Sequence, residues 1–426
     1  MFLYSNKIRL LLILPLLLAS AVAQCADDDN WRFSGFATVG ASYSSNDELA
    51  FRSSYLNKPR KHFNVFTDTM VGFQFNYHFS NDLDLVVQAI AQDRGDSEVA
   101  NYFEMAFLRY QFDRNWSARV GRMNYNAYLL SEYRNVSYAY PWVRPPVDFY
   151  LPTSSVSYVD GAEIQYRHNA NDGVWQHTFA AGKSESNLFA LDSFTTIYYD
   201  YVLNATTTYE AYDWLVKVTG SYFMGDRTRI SGGDFEGFYD SLLAVPDVLW
   251  PGVDEVYDHL HMDNEPIWYL SLGYQYNNDE WLVMAEMVAM DSAWTLLSPY
   301  VSGYISLGYR FGDFLPYITL AGIEETESSR QLPVPDFSKA PDAETAQYLG
   351  LLSFASQEIS NAISQRQRSV GVGVRWDVTP SSAIKFQYDH YWIDVPGYAL
   401  WGVSLYQQVS GDHMSNVVSL TYSTTF

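Results

Sequence analysis

The stretch AFLRYQF places Ala106, Leu108, Tyr110 and Phe112 on one parity and Arg109 and Gln111 on the other. A period of two belongs to an extended strand with one apolar and one polar face. SVGVGVRW repeats it, with Val370, Val372, Val374 and Trp376 opposite Gly371, Gly373 and Arg375. AIKFQYDHYW sets Ile384, Phe386 and Tyr388 against Lys385, Gln387 and Asp389. Sixteen such segments are expected, at 31–43, 63–78, 83–93, 101–112, 116–123, 159–167, 174–183, 195–209, 214–224, 266–276, 281–290, 299–311, 314–322, 367–378, 382–391 and 414–426.

The connections alternate in length. Seven are short and rich in turn residues, such as SND at 80–82, DRN at 113–115, NNDE at 277–280 and GD at 312–313. Eight are longer: 44–62, 94–100, 124–158, 184–194, 225–265, 291–298, 323–366 and 392–413. A soluble sandwich has no reason to gather its short turns at one end. A transmembrane antiparallel β-barrel of about sixteen strands does, with short periplasmic turns, long external loops and aromatic girdles. Such a barrel must close, because unpaired backbone cannot face lipid. The segment SNVVSLTYSTTF therefore pairs with the strand near WRFSGFATVGASY, and its Val418, Leu420, Tyr422, Thr424, Phe426 parity faces lipid.

Composition agrees. Aromatic residues make up 17% of the chain and charged residues 18%, which excludes a disordered protein. The net charge of −23 repels nucleic acid. The one cysteine, Cys25, excludes internal disulfides and cysteine metal clusters. Residues 1–23 read as an export signal: Lys7 and Arg9, an apolar run from Leu10 to Leu18, then Ala21-Val22-Ala23. Gln24 does not suit a lipidation site at Cys25. The barrel domain is 24–426. No later apolar run is long enough for a membrane helix.

The stretch MAFLRYQFDRNWSARVGRMNYNAYLLSEYRNVSYAYPWVRPPVDFY, Met105–Tyr150, resembles a porin-like superfamily that includes the phosphate-selective porins. The shared pattern is a strand, a short turn, a strand ending near VGR, then a tyrosine- and proline-rich segment with YPW and RPP. The resemblance implies a Gram-negative outer-membrane channel for passive diffusion of small hydrophilic solutes. It also implies that Phe426 is part of the terminal signal shown to the barrel assembly machinery. The lysine-rich external loop of the phosphate-selective members is missing, since 225–265 holds ten acids and two arginines. A homotrimer is compatible with this reading.

Three groups of residues are candidates for function. Segment 124–158 has seven tyrosines and four prolines, too aromatic to hang free in water. It either folds inward as a constriction, which a barrel this wide favours, or packs across the outer mouth or a subunit contact. Its charges, Glu132, Arg134, Arg144 and Asp148, are candidates for the narrowest point. Parity assigns Arg109, Arg119, Glu163, Arg167, Lys217, Glu286, Arg310, Arg375, Lys385 and Asp389 to the lumen, because a basic residue facing mid-bilayer lipid costs about 2–4 kcal/mol. That is seven basic against three acidic groups. They either hydrate and pair, or set an anion preference. Arg122 and Glu104 break parity, through a bulge, a rim position or a subunit contact.

The acidic external loops read as solvated surface or as cation-bridged contacts with lipopolysaccharide. Within 323–366, Asp342 caps an expected helix over 343–365 carrying Leu349, Leu352, Phe354 and Ile359. No cofactor is expected. DHLH sets His259 and His261 on one side if extended, a weak metal signal without further ligands. An enzyme is not expected. A surface adhesin or structural barrel, and less readily a barrel hydrolase, are the competing functions.

Overall fold

The computed structural model describes residues 30–94, 99–153, 155–190, 193–231, 235–327, 331–403 and 409–426. The export signal and Cys25 lie outside the described residues. The period-two segments form sixteen barrel strands. They are β1 Trp31–Ser44, β2 Met70–His78, β3 Leu83–Gln92, β4 Phe103–Gln111, β5 Trp116–Asn124, β6 Tyr158–Ala170, β7 Gly173–Ala190 and β8 Ser193–Ala211. There follow β9 Trp214–Ser231, β10 Glu265–Asn277, β11 Trp281–Ser292, β12 Tyr300–Tyr309, β13 Phe314–Glu325, β14 Gln365–Thr379, β15 Ser382–Tyr398 and β16 His413–Thr425. Each pairs antiparallel with its chain neighbours, and β16 returns to β1 from Phe36↔Thr425 to Ser44↔Val417. Phe426 completes the seam with two backbone hydrogen bonds to Gly35, at 2.8 and 2.9 Å. A Cβ at Gly35 would sit 2.5 Å from the Phe426 ring, so the seam needs glycine there.

The two parities of β16 separate as expected. Val417, Ser419, Thr421 and Ser423 are buried inside, while Val418, Leu420 and Tyr422 are exposed on the outer wall. Val120, Leu270, Ile305 and Leu320 continue that apolar belt around the barrel. Aromatic residues gather beside the short turns: Tyr110 with Phe112, Trp116 with Tyr166, Tyr209 with Trp214, and Trp281 with Tyr309. An apolar band edged by rings is the exterior of a membrane-spanning barrel.

Several boundaries differ from expectation, among them the outer ends of the strands expected at 214–224 and 382–391, which run on to Ser231 and Tyr398. The 63–78 segment is broken: His62–Asn64 pairs with β1, then the chain turns at 65–69 before β2. Asn64 Oδ1 accepts from Phe66 N at 2.7 Å, and Thr69 Oγ1 accepts from Gly40 N at 3.1 Å. This turn buries Asp68. Segment 184–194 is strand in its described residues, because β7 runs on to Ala190 and β8 begins at Ser193. β7, β8 and β9 run 18, 19 and 18 residues, well beyond the roughly 9–11 that cross a membrane. Their polar alternation simply carries on above the bilayer.

The outer loops carry short helices. The expected helix is α4 of the set α1 Val147–Thr153, α2 Phe235–Leu243, α3 Val253–Leu260 and α4 Ala343–Asn361. Asp342 caps α4 by accepting from Thr345 N at 2.7 Å. Leu349 and Leu352 are buried, whereas Phe354 is exposed. α2 and α3 arise where no capping signature announced them. Gly252, with φ of +84°, opens α3 without a side-chain cap. Gly121, with φ of +131°, lies within the VGR stretch, where a Cβ would approach Ala106 O to 2.3 Å.

Candidate functional site: a loop anchored inside the barrel

The chain between β5 and β6 does not cover the mouth. It descends through the lumen, runs along its floor and climbs back, bonded to the wall throughout. On the way down, Tyr125 Oη donates to Ser221 Oγ on β9 at 2.7 Å. The carbonyls of Asn126, Ala127 and Tyr128 accept from Thr206 Oγ1, Ser271 Oγ and Lys217 Nζ at 2.6–2.8 Å. Leu129 N donates to Glu286 Oε2 at 2.7 Å.

The floor is a 3₁₀ turn, Ser137–Ala139. Tyr138 Oη reaches Pro380 O, in the turn between β14 and β15, at 2.7 Å. Lys385 is fully buried and donates to the carbonyls of Ser137, Tyr140 and Trp142, the latter two at 2.8 Å. Arg375 Nη1 donates to Tyr138 O at 2.5 Å and Tyr140 O at 3.1 Å. The prolines at 141, 145 and 146 deny this stretch regular structure, so its carbonyls are free for the wall cations.

The return limb is held as closely. Trp142 Nε1 donates to Ser306 Oγ and Thr319 Oγ1, both at 3.0 Å, and Val143 N to Gln387 Oε1 at 2.8 Å. Arg144 donates to both carboxylate oxygens of Asp68, at 2.8 and 2.6 Å, and to Ser419 Oγ at 2.6 Å, with Asp389 3.5 Å away. In α1, Asp148 accepts from Gln367 Nε2 at 2.9 Å and Ser369 Oγ at 2.5 Å. Tyr150 Oη donates to Glu286, the carboxylate that already holds Leu129, so one side chain clasps both limbs. Aromatic rings fill the space between, Trp142 and Phe149 both edge-on to Tyr304. These bonds set the polar groups of both limbs against the wall residues.

Of the ten wall residues assigned to the lumen, Glu163, Lys217, Glu286, Lys385 and Asp389 are buried, and the last four are bonded to or beside the loop. Arg109 pairs with Asp84 on β3, and Arg119 with Glu163 at 2.5 Å. Arg375 pairs with Asp377 at 2.7 Å. Arg310 donates to Asn277 Oδ1 and Asn278 O near the short turns, and Arg167 is exposed at that end. Of the loop charges, Arg144 and Asp148 are buried and Arg134 is partly buried, while the Glu132 side chain is 59% exposed, 3.6 Å from Arg119.

The count of seven basic to three acidic groups is corrected by Asp68, Asp84 and Glu104. Asp84 stands on the inner face one residue into β3, where parity could have found it. Glu104 is turned in by a bulge between Gln88 and Ala89 and meets Arg94 at 2.5 Å and Arg134 at 3.4 Å. Asp68 comes from the unexpected 65–69 turn and had no sequence signal. Arg122 stays on the outer face, paired with Asp160 at 2.7 Å. At the short-turn end, Tyr133, Tyr138, Tyr140, Arg310, Arg375 and Asp377 line a vestibule of about 280 Å³. His259 is buried between Thr295 and Ser360, at 2.9 and 3.0 Å, and His261 stacks on Tyr257.

No family model and no curated protein matches the chain. Solved structures do. OmpT of Vibrio cholerae aligns at 10% identity over 95% of this chain and 100% of its own, with a TM-score of 0.50. The anion-selective porin of Comamonas acidovorans aligns at 9% over 93% and 99%, with a TM-score of 0.50. OmpF of Salmonella typhi, in complex with daunomycin, aligns at 11% over 94% and 99%, with a TM-score of 0.52. With the closed sixteen-stranded wall and its lipid-facing belt, these likenesses establish that the chain has the outer-membrane porin fold.

Proposed function

We propose that residues 1–23 direct export and that the barrel is an outer-membrane channel for passive diffusion of small hydrophilic solutes. In this reading the descending loop, held against β8–β10, narrows the lumen to a passage beside β4–β6, and no catalytic step is assigned. The observation that carries it is Glu132. Its carboxylate is exposed within a loop whose other charges are buried or partly buried, beside Arg119 and the Glu163 carboxylate. A hydrated side chain at that depth supports a water-filled path along it.

We further propose a weak preference for anions. Paired arginines contribute little net field, so the vestibule is the better guide: Arg310 and Arg375 outnumber Asp377 there. Charges in a narrow mouth with low-dielectric walls act on a passing ion more strongly than loop acids screened within about 8–10 Å. The measurement is the reversal potential in a potassium chloride gradient. A mildly anion-selective wild type is expected. Arg109→Ala with Arg119→Ala should shift it toward cations, because Asp84 and Glu163 lose their partners. A cation-selective wild type, or a double variant with unchanged selectivity, would sink this reading.

A homotrimer is the proposed assembly, embedded in lipid and lipopolysaccharide after delivery by the barrel assembly machinery through the strand ending in Phe426. What supports it is the Arg122–Asp160 pair on the outer face. Arg122 lies six residues above Trp116, about 15 Å up a tilted strand and still within the belt. A neighbouring subunit would shield that pair from lipid. Cross-linking of the folded protein in detergent should give a trimer that Arg122→Ala with Asp160→Ala weakens; a monomer at every cross-linker dose would refute it.

A further inference from the structure

A cavity of about 120 Å³ lies above the descending loop, beneath the outer halves of β7–β12. Its wall is largely apolar and aromatic: Tyr125, Tyr199, Phe223, Ile267, Met290 and Tyr300. Apolar cavities of about 150 Å³ take up benzene, so this one is of the size for a single ring.

Its polar atoms are unusual. Tyr269 Oη, Trp294 Nε1 and Gln365 Oε1 all belong to lining residues, all are buried, and none has a hydrogen-bond partner among the described residues. Buried polar atoms are rarely left so. Among the described residues the one charged lining residue is Arg52, from the loop after β1. Its guanidinium is buried, stacks 4.5 Å over Tyr55, and donates to the carbonyls of Phe189, Ala399 and Leu400. No described carboxylate forms an ion pair with it. Three of its five N–H groups are thus engaged by neutral acceptors, and its charge is uncompensated. Burial lowers its pKa to about 10, which the nearby Tyr55 only partly opposes.

We propose that this cavity binds a small aromatic carboxylate, its ring among Tyr125, Tyr199, Phe223 and Ile267 and its anionic group compensating Arg52. Tyr269 Oη and Trp294 Nε1, unpartnered among the described residues and belonging to residues of the same wall, are the further donors proposed for this ligand. A neutral aromatic would fill the volume but leave the guanidinium unmatched, whereas a charge-assisted hydrogen bond is the stronger kind. A short aliphatic acid would match the charge but not the rings. The inference goes beyond unselective diffusion and does not rest on it, because the site is read by binding and not by current.

The test is calorimetric titration of the folded barrel in detergent with benzoate, benzyl alcohol and acetate. Benzoate should bind saturably and at least about tenfold more tightly than the other two. Arg52→Gln should weaken benzoate about tenfold and leave benzyl alcohol nearly unchanged. Ile197→Phe, which fills the cavity, should abolish both. Since Arg52 also ties its own loop to β7 and to the segment after β15, Tyr269→Phe and Trp294→Phe serve as second variants. Each removes an unpartnered group, so the barrel should stay heat-modifiable while benzoate weakens several-fold. Benzoate binding no tighter than acetate, or folded Tyr269→Phe and Trp294→Phe variants with wild-type affinity, would overturn the proposal.

Discussion

Replacing residues 126–151 with a short Gly-Ser linker is expected to raise single-channel conductance roughly tenfold, because a sixteen-stranded wall without its inner loop encloses an open aqueous lumen. The wall should survive the operation. Its strand pairing is continuous from β1 round to β16 and uses no loop residue. Lys217, Glu286 and Lys385 would lose their loop partners, but water entering the lumen would solvate them. Planar-bilayer recording of the deletion against the full chain reads the effect. An unchanged conductance would place the obstruction elsewhere, at the outer roof that includes α4, and would remove the loop from its assigned role.

Arg144→Met is expected to destabilise the folded barrel by about 3–5 kcal/mol, the usual cost of stripping one partner from a buried ion pair. Arg144, Asp68 and Asp389 are all buried, so the substitution strands two carboxylates away from water. Methionine fills much the same space and still covers Phe51, over which the guanidinium now lies at 4.9 Å. The loss should therefore be electrostatic more than steric. Adding Asp68→Asn and Asp389→Asn should recover most of it, since neutral amides carry no unpaired charge. The urea midpoint of the heat-modifiable band measures both steps. A loss below about 1 kcal/mol for Arg144→Met would show that this cluster is solvated in solution.

The barrel was legible because lipid imposes a strict rule on each strand. A wall residue faces either hydrocarbon or the interior, so SVGVGVRW and AFLRYQF could hardly be read otherwise. The inward loop was legible from its rings and prolines, though not its depth. Nothing in SYAYPW announces that Tyr138 touches Pro380, because that contact depends on where β14 and β15 stand in the closed wall. The charge balance was misjudged for a related reason. Parity finds Arg109 and Arg119, but Asp68 is turned inward by a local break and Glu104 by a bulge, and single-residue irregularities leave little trace in composition. Arg52 was missed because an isolated arginine in a polar loop carries no signal of burial.

The reach of the descending loop also bears on how the molecule is made. Lys385 Nζ bonds to Ser137 across 248 positions of chain, and Arg144 reaches Ser419 across 275. The receptors of the loop floor are thus among the last strands to be synthesised. Contacts so distant in sequence form slowly, because chain closure comes before any return in bonding. The loop must be in place before β14–β16 seal against β1, or else thread into a finished cylinder against the bonds that line it. The sealing of the wall and the seating of the loop are then one kinetic event, and a chain that closed around an empty lumen would be a long-lived trap.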